Sequence, residues 1–148
     1  MAVGVWGVGN VFLGDDAAGC AVAELLRLAG MPGVVDCGTT PENWTATLRR
    51  DPPSVLLVVD AADMGLEPGE CRLLNLDGMD AFADSSHGIP LPLLLGPFMG
   101  LMEIVGIGIQ PASLRLGEPF SDAVDEAVRR VADAILKDEW REIARLNA

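Results

Sequence analysis

The stretch AVGVWGVGNVFLGDDAAG, residues 2–19, sets the architecture of the chain. Its first seven residues form an apolar run that predicts a buried strand, and the glycine-rich segment after them predicts a loop. From Ala17 to Leu28, apolar residues recur at helical spacing, which predicts an amphipathic helix. A strand, a loop and a helix in this order begin a parallel α/β unit.

Two more strands and a second helix follow the same alternation. Residues 33–38 (GVVDCG) predict a short second strand, and residues 41–50 (PENWTATLRR) predict a helix with proline at its start. Residues 54–60 (SVLLVVD) are apolar up to their last residue, as in a strand buried on both faces. The βαβαβ order therefore predicts a parallel sheet with helices on both faces.

The pattern changes after Asp60, where a turn-rich stretch without a helix leads to a fourth strand at residues 70–76 (ECRLLNL). A connection without a crossover helix predicts that this strand is antiparallel and lies at an edge. Residues 103–109 (EIVGIGI) predict a fifth strand, and residues 121–146 predict one long amphipathic helix. The apolar run at residues 89–105 is interrupted by prolines and glycines, so we expect buried interior and not a membrane span.

Composition limits the classes of partner. The 148 residues are half hydrophobic, which suits a single domain over residues 1–148. With 22 acidic and 10 basic residues the formal charge is −12, which repels nucleic acid and anionic membranes. The three cysteines form no CxxC pair, and the first residues lack the order of a signal peptide. We therefore expect a cytoplasmic monomer without nucleic-acid or membrane partners.

The first loop also invites a nucleotide-binding interpretation, since Gly7 and Gly9 follow a strand and precede a helix. The fingerprint is incomplete, because Phe12 stands where its third glycine belongs and two aspartates stand where a pyrophosphate would bind. The GK[ST] ending of a P-loop and the GxSxG nucleophile elbow are both absent from the sequence.

Three residues form the candidate site. Asp60 ends a predicted buried strand and Asp16 ends the loop after the first strand, so both fall at the carboxyl ends of neighbouring strands, where α/β sheets bind ligands. His87, the one histidine, follows the antiparallel strand by enough extended chain to return to that edge. Two carboxylates and an imidazole suit Ni(II), Zn(II) or Mn(II) and leave coordination positions open.

Each feature has a structural alternative. Asp15 or Asp16 could cap the following helix, which is the commoner role of aspartate at that place. A carboxylate at a strand end can orient a loop, as Asp60 would, and a lone loop histidine is more often solvated than bound to metal. The cysteines are predicted to be small buried hydrophobic residues, and the turn at residues 38–41 could simply start the second helix.

The motifs resemble those of the HybD/HycI-type hydrogenase maturation endopeptidases, and most closely the branch that serves formate-hydrogenlyase-type hydrogenases. The resemblance covers the chain from its start to about Pro111 and rests on five stretches in the family's order and spacing. These are GVGNxxxGDDxxG at residues 7–19, DCGTTPEN at 36–43, VVDAADMGLEPGE at 58–70, SSHGIPL at 85–91 and GIGIQP at 106–111.

The resemblance implies a three-layer αβα sandwich on a five-stranded mixed sheet of order 2-1-3-5-4, with strand 4 antiparallel. It assigns the metal-binding and catalytic roles to Asp16, Asp60 and His87. The nickel belongs to the substrate, although other divalent ions could occupy the site. The substrate cleft would be lined by Gly9, Asn10, Asp36, Gly38 and Thr39.

The implied activity is that of an aspartic-type endopeptidase. It removes the C-terminal extension of a [NiFe]-hydrogenase large-subunit precursor after nickel insertion, with a carboxylate or metal-bound water delivering hydroxide. A non-enzymatic nickel chaperone or checkpoint protein could use the same three ligands, and a nucleotide-binding regulator is a third alternative. Relatives carry a polar helix after the histidine, whereas this chain has PLPLLLGPFMGLM, residues 90–102, which predicts a short or broken helix and, if exposed, a docking patch.

Overall fold

The computed structural model describes residues 2–82 and 89–146, which form a five-stranded sheet with helices on both faces. The strand order is β2-β1-β3-β5-β4; β4 is antiparallel to β5, and the other pairings are parallel. The predicted order and the antiparallel edge strand are therefore confirmed. The strands are β1 (Val3–Val8), β2 (Val34–Gly38), β3 (Val55–Ala61), β4 (Cys71–Leu74) and β5 (Glu103–Ile109).

The helices lie in two layers, which confirms the predicted sandwich. They are α1 (Ala18–Leu28), α2 (Thr45–Arg50), α3 (Leu91–Leu95) and α4 (Asp122–Leu136). Helices α1 and α4 cover the sheet face that carries Val5 and Leu57, and α2 and α3 cover the face that carries Trp6 and Leu56. Every residue of β3 is buried, as its apolar sequence predicts for a strand with a helix layer on each side.

Helix α1 packs unusually close to the sheet because two glycines face each other. A Cβ atom on Gly19 would collide with the carbonyl oxygens of Val59 and Val8, and one on Gly7 would collide with the carbonyl oxygen of Gly19. Gly19 thus allows the close helix–strand approach that a dinucleotide fingerprint assigns to its third glycine, seven residues past Phe12. This approach holds the loop between β1 and α1 tightly over the end of β3.

The last helix is shorter than predicted. The predicted span of residues 121–146 is wrong, because α4 ends at Leu136 and Asp138 adopts a left-handed conformation with φ of 56°. The chain then turns back and lies beside the outer edge of β4, where Leu73 N donates to Ala144 O at 2.8 Å and Leu146 N donates to Leu73 O at 2.9 Å. This contact covers part of an edge strand that would otherwise expose its backbone.

The apolar run before β5 is only partly interior. It forms the five-residue helix α3 and a single 3-10 turn, so the predicted short or broken helix is confirmed. Leu95 and Phe98 are buried, but Leu93, Met99 and Leu101 are 70%, 58% and 61% exposed, and the prediction of a wholly buried segment is wrong for these. Among the described residues, no helix is long and apolar enough to cross a membrane.

Candidate active site

Asp60 lies at the carboxyl end of β3 and is 1% exposed. Its backbone pairs with β5, opposite Gly108, which fixes its position in the centre of the sheet. The Oδ1 atom accepts a hydrogen bond from the backbone N–H of Ala61 at 2.7 Å. The strand therefore delivers one buried carboxylate to the edge where the parallel strands end.

Asp16 reaches the same place from a 3-10 turn (Gly14–Ala17) and is also 1% exposed. Its Oδ2 atom accepts a hydrogen bond from the backbone N–H of Asn10 at 2.8 Å. A Cβ atom built on Gly9 would collide with the backbone oxygen of Asp16 and would lie 3.2 Å from Oδ1 of Asp60. Both aspartates thus border the space beside Gly9, where only a glycine fits.

Asp15 has a different role from its neighbour. Its Oδ2 atom accepts hydrogen bonds from Ala112 N at 2.8 Å, Ser113 N at 3.2 Å and the Ser121 hydroxyl at 3.0 Å, and its Oδ1 atom accepts one from Ser121 N at 2.8 Å. Neither the 3-10 turn nor α1 has a side-chain cap, so the helix-capping interpretation of these aspartates is wrong. Asp15 instead clamps the first loop to the segment that connects β5 and α4.

The end of β2 closes the site on its other side. The backbone N–H of Gly9 donates to Gly38 O at 2.9 Å, and Gly38 N donates to Oδ1 of Asp36 at 3.1 Å. Gly38 has a φ of +55°, a conformation that favours glycine. The predicted cleft residues Gly9, Asn10, Asp36 and Gly38 therefore meet at the ends of β1 and β2, and Thr39, in the same turn, is half-buried.

A thiol lies beneath this cluster without the properties of a nucleophile. Cys20 Sγ donates to Gly9 O at 3.6 Å. Burial raises the pKa of Cys20, and the nearby carboxylates of Asp36 and Asp60 raise it further. Burial likewise raises the pKa of Cys37. Cys20 and Cys37 are buried, as predicted for small hydrophobic residues, whereas Cys71 is half-buried.

Gln110, which follows β5 and is 7% exposed, is not among the site residues that the sequence predicts. Its Oε1 atom accepts hydrogen bonds from Met64 N at 2.7 Å and Leu66 N at 3.3 Å, so it holds the loop that follows Asp60. The signal was available, because Gln110 is a polar residue directly after a buried strand, like Asp60 before it.

The predicted third ligand, His87, lies outside the described residues. The described residues contain two of the three predicted ligands and hold no cluster of three or more histidine, cysteine or acidic side chains that could bind a metal ion. By Phe82 the chain has returned to the site, since Phe82 pairs with Ala62 and Asp63 N donates to Ala81 O at 2.8 Å.

Comparison with known proteins identifies relatives of this chain. The HycI family model, described as hydrogenase maturation protease, matches residues 21–138. The hydrogenase 3 maturation protease of Escherichia coli K12 is 38% identical over 128 residues, which cover 84% of this chain and 82% of the relative.

Two solved structures share the fold over nearly the whole chain. The solution structure of the endopeptidase HycI from Escherichia coli is 34% identical, with a TM-score of 0.86, and the match covers 99% of this chain and 97% of the relative. The [NiFe] hydrogenase maturation protease HycI from Thermococcus kodakarensis KOD1 is 32% identical, with a TM-score of 0.82, and covers 93% and 92%.

Proposed function

The chain belongs to the HycI family of hydrogenase maturation proteases, and on this premise we propose that it removes the C-terminal extension of a [NiFe]-hydrogenase large-subunit precursor after nickel insertion. As a member of that family it is an endopeptidase. The observation that carries the finer proposal is the pair of buried aspartates, Asp16 and Asp60, which border the space beside Gly9 at the carboxyl ends of β1 and β3.

The proposal gives Asp16, Asp60 and His87 a shared role as ligands for the nickel that the precursor carries. Carboxylate and imidazole groups bind Ni(II), and three ligands leave positions for the precursor's own groups. His87 enters from the sequence alone. The chain is back beside Ala62 at Phe82, five residues before His87, which is at most about 17 Å of extended chain. This distance keeps His87 within reach of the two aspartates.

Nickel in this proposal is part of the substrate. A site that offers three ligands to a fully loaded centre, and holds stray ions weakly, makes cleavage depend on prior assembly of the metal centre. Water supplies the attacking oxygen: either a carboxylate takes its proton, or the nickel of the substrate would lower its pKa, so that hydroxide attacks the scissile carbonyl and the proton passes to the leaving amine. The peptide bond then breaks into a new C-terminal carboxylate on the large subunit and a free amine on the extension.

Two rival functions lose support. A non-enzymatic nickel chaperone would use the same ligands, but the family is one of proteases. A nucleotide-binding regulator would need a phosphate site in the first loop, where two buried aspartates stand instead. We further propose a cytoplasmic monomer, which accords with three cysteines that form no disulfide.

The test compares cleavage of precursor prepared with and without nickel, using enzyme treated beforehand with chelator. Mass spectrometry of the large subunit measures the product. We expect nickel-loaded precursor to be shortened and nickel-free precursor to stay intact. Equal cleavage of both forms would show that the nickel-reading part of the proposal is wrong while the protease activity stands.

Variants locate the chemistry. Asp60→Asn keeps the shape of the side chain and removes its charge, so we expect cleavage to fall at least about 100-fold, equivalent to about 2.7 kcal/mol in the barrier. Asp63→Asn is the matched control, because Asp63 is an exposed carboxylate three residues beyond Asp60, in the loop that follows β3; it should cleave like wild type. His87→Ala should weaken binding of the loaded precursor. Full activity in Asp60→Asn would exclude this site.

A further inference from the structure

Two loops beside the site expose large apolar side chains. Val11 and Phe12, between β1 and α1, are 58% and 69% exposed, and Leu114 and Leu116, between β5 and α4, are 38% and 76% exposed. We call these four residues the apolar rim. Single exposed hydrophobic residues are ordinary on protein surfaces, but several on adjoining loops form a candidate interaction surface.

Backbone contacts make the two loops one surface. Gly117 N donates to Phe12 O at 2.8 Å, and Asp15 N donates to Ser113 O at 2.9 Å. A Cβ atom on Gly14 would lie 2.8 Å from Ser113 O, so the two backbones are in direct contact. The side chains of Phe12 and Leu116 therefore rise from neighbouring backbone segments.

A buried network holds the rim in place. The carboxylate of Asp15, 1% exposed, binds the backbone of Ala112, Ser113 and Ser121 and so fastens the second loop to the first. Loops fixed by several buried hydrogen bonds lose little conformational entropy when they bind a partner. The backbone that carries the rim is thus held in place by hydrogen bonds before a partner binds.

The rim is also continuous with the site. Phe12 N donates to the side chain of Asn10 at 2.9 Å, and Asn10 N donates to the carboxylate of Asp16 at 2.8 Å. Two hydrogen bonds in series therefore connect the backbone of Phe12, in the rim, to the carboxylate of Asp16, in the candidate site. The charged atoms of Arg115 and Glu118 beside the rim lie 3.9 Å apart, so this pair adds no net charge to the surface around the rim.

From these contacts we propose that the apolar rim docks the substrate polypeptide through apolar side chains next to its scissile bond. The inference rests on the proposed function and adds the surface that recognises the protein part of the substrate. The partner we propose for this surface is the precursor, because the rim shares one loop with Asp16. A second copy of this chain bound there would block the site.

A second exposed apolar pair provides the control. Met99 and Leu101 are 58% and 61% exposed, close to the values for Val11 and Phe12, but they precede β5 and so lie at the amino end of the sheet. They also belong to the stretch in which the sequence predicts a docking patch. Phe12→Ser/Leu116→Ser and Met99→Ser/Leu101→Ser therefore remove similar apolar side chains at opposite ends of the molecule.

The experiment measures kcat and KM on nickel-loaded precursor for wild type and the two double variants. The rim contacts the substrate away from the reacting atoms, so its loss should raise KM at least tenfold with little change in kcat, while the Met99/Leu101 variant behaves like wild type. Circular dichroism and urea unfolding check that both variants fold as wild type does. A KM effect in the Met99/Leu101 variant alone, or none in either, overturns the inference.

Two further measurements separate the inference from the proposed function. In an Asp60→Asn background, which should not cleave, the rim substitutions should weaken precursor binding at least tenfold relative to Asp60→Asn alone. Sedimentation should show a monomer for wild type; a dimer that dissociates in the rim variant would identify the rim as a self-interface and overturn the inference. If wild type cleaves precursor and the rim variant matches it, the proposed function survives and the docking surface does not.

Discussion

At the carboxyl end of the sheet the chain buries polar side chains, whereas at the amino end a prominent charged contact lies on the surface. The amino-end contact is Arg141, which makes two hydrogen bonds to Glu103 at 2.9 and 2.7 Å and stacks on Trp140. Within residues 2–82 and 89–146, all four buried polar residues follow or end β1, β3 and β5: Asp15, Asp16, Asp60 and Gln110.

The difference shows at which end the fold accepts a cost in stability. A buried polar group costs free energy unless it is hydrogen-bonded, and the carboxyl end offsets that cost with backbone donors to Asp15 and Gln110. The amino end is closed by apolar packing around Trp140, which is 2% exposed, and its one buried polar side-chain atom among the described residues is the indole nitrogen of Trp140, which has no hydrogen-bond partner. Polar burial concentrated at one end is expected where a site must hold charged groups in place.

The largest effect should come from the close packing at the carboxyl end. Gly19→Ala places a methyl group against the carbonyl oxygens of Val59 and Val8, which cannot move apart without separating strands, so we expect a loss of about 3 kcal/mol or more in the free energy of unfolding. At the amino end, the methyl group of Gly4→Ala would meet side-chain atoms, of Pro53 at 3.1 Å and of Leu56 at 3.6 Å, and should cost less than about 1 kcal/mol.

Urea unfolding of both variants measures this contrast. Gly4 lies within β1, whereas Gly19 lies within α1. Alanine is intrinsically better than glycine in a helix by about 1 kcal/mol, so helix propensity alone would make Gly19→Ala stabilising. A peptide control for helix propensity is therefore useful. Equal stability of Gly4→Ala and Gly19→Ala would contradict the prediction that packing is more tightly constrained at the carboxyl end of the sheet.

The next effect concerns the Asp15 clamp. Asp15→Ala leaves the backbone donors of Ala112 and Ser121 without their acceptor, so we expect a loss of about 2–3 kcal/mol. Ser121→Ala loses one bond to Asp15 and the cap on Val124 N and should cost about 1 kcal/mol. Cleavage should also fall in Asp15→Ala, because Asp16 shares its 3-10 turn. An Asp15→Ala variant as stable as wild type would contradict the clamp.

The clamp also shows where sequence reasoning reaches its limit. Two adjacent aspartates before a helix look alike locally, and the partners that distinguish Asp15 lie 97 to 106 residues further along the chain. The site assignment of Asp16 and Asp60 came from strand ends and from a family resemblance, and the fold brings both beside Gly9. Their ligand role, like that of His87, stays a prediction.

The fold was more predictable in its strands than in its helix ends. Strand β5 (Glu103–Ile109) has the bounds that its sequence predicts, because the helix layers on the two faces of the sheet favour the buried run that follows Glu103. Helix α4 ends ten residues early at Lys137–Asp138, where neither glycine nor proline marks the stop. Asp138 adopts a left-handed conformation there, and Trp140, two residues later, packs into the core.

A third prediction concerns the thiols at the carboxyl end, where the expected effect on activity is small. Because burial raises the pKa of Cys20 and Cys37, both stay as neutral thiols at pH 8, and a disulfide reagent should modify them at least about 100-fold more slowly than in urea. Cleavage should continue during exposure of the folded enzyme to the reagent. Rapid stoichiometric inactivation traced to Cys20 would assign it a catalytic role that this site does not require.

The smallest effect is expected at the amino end. Hydrogen bonds from Arg141 to Glu103 lower the pKa of Glu103 below the usual value of a glutamate. The ionised carboxylate is therefore favoured in the folded state. A lowered folded-state pKa contributes stability above the unfolded pKa, and that contribution is lost as the pH falls through the folded value.

The Glu103 side chain is 43% exposed, so water and salt screen the pair, and Glu103→Gln should cost only about 0.5 kcal/mol at pH 7. The difference from wild type should shrink as the pH falls through the lowered folded-state pKa of Glu103, and it should also shrink in 1 M salt. Urea unfolding of wild type and Glu103→Gln at pH 7 and pH 3 measures this difference in the free energy of unfolding. A cost at pH 7 as large as that of Asp15→Ala would show that the surface pair matters as much as the buried clamp. The contrast between the two ends of the sheet would then be wrong.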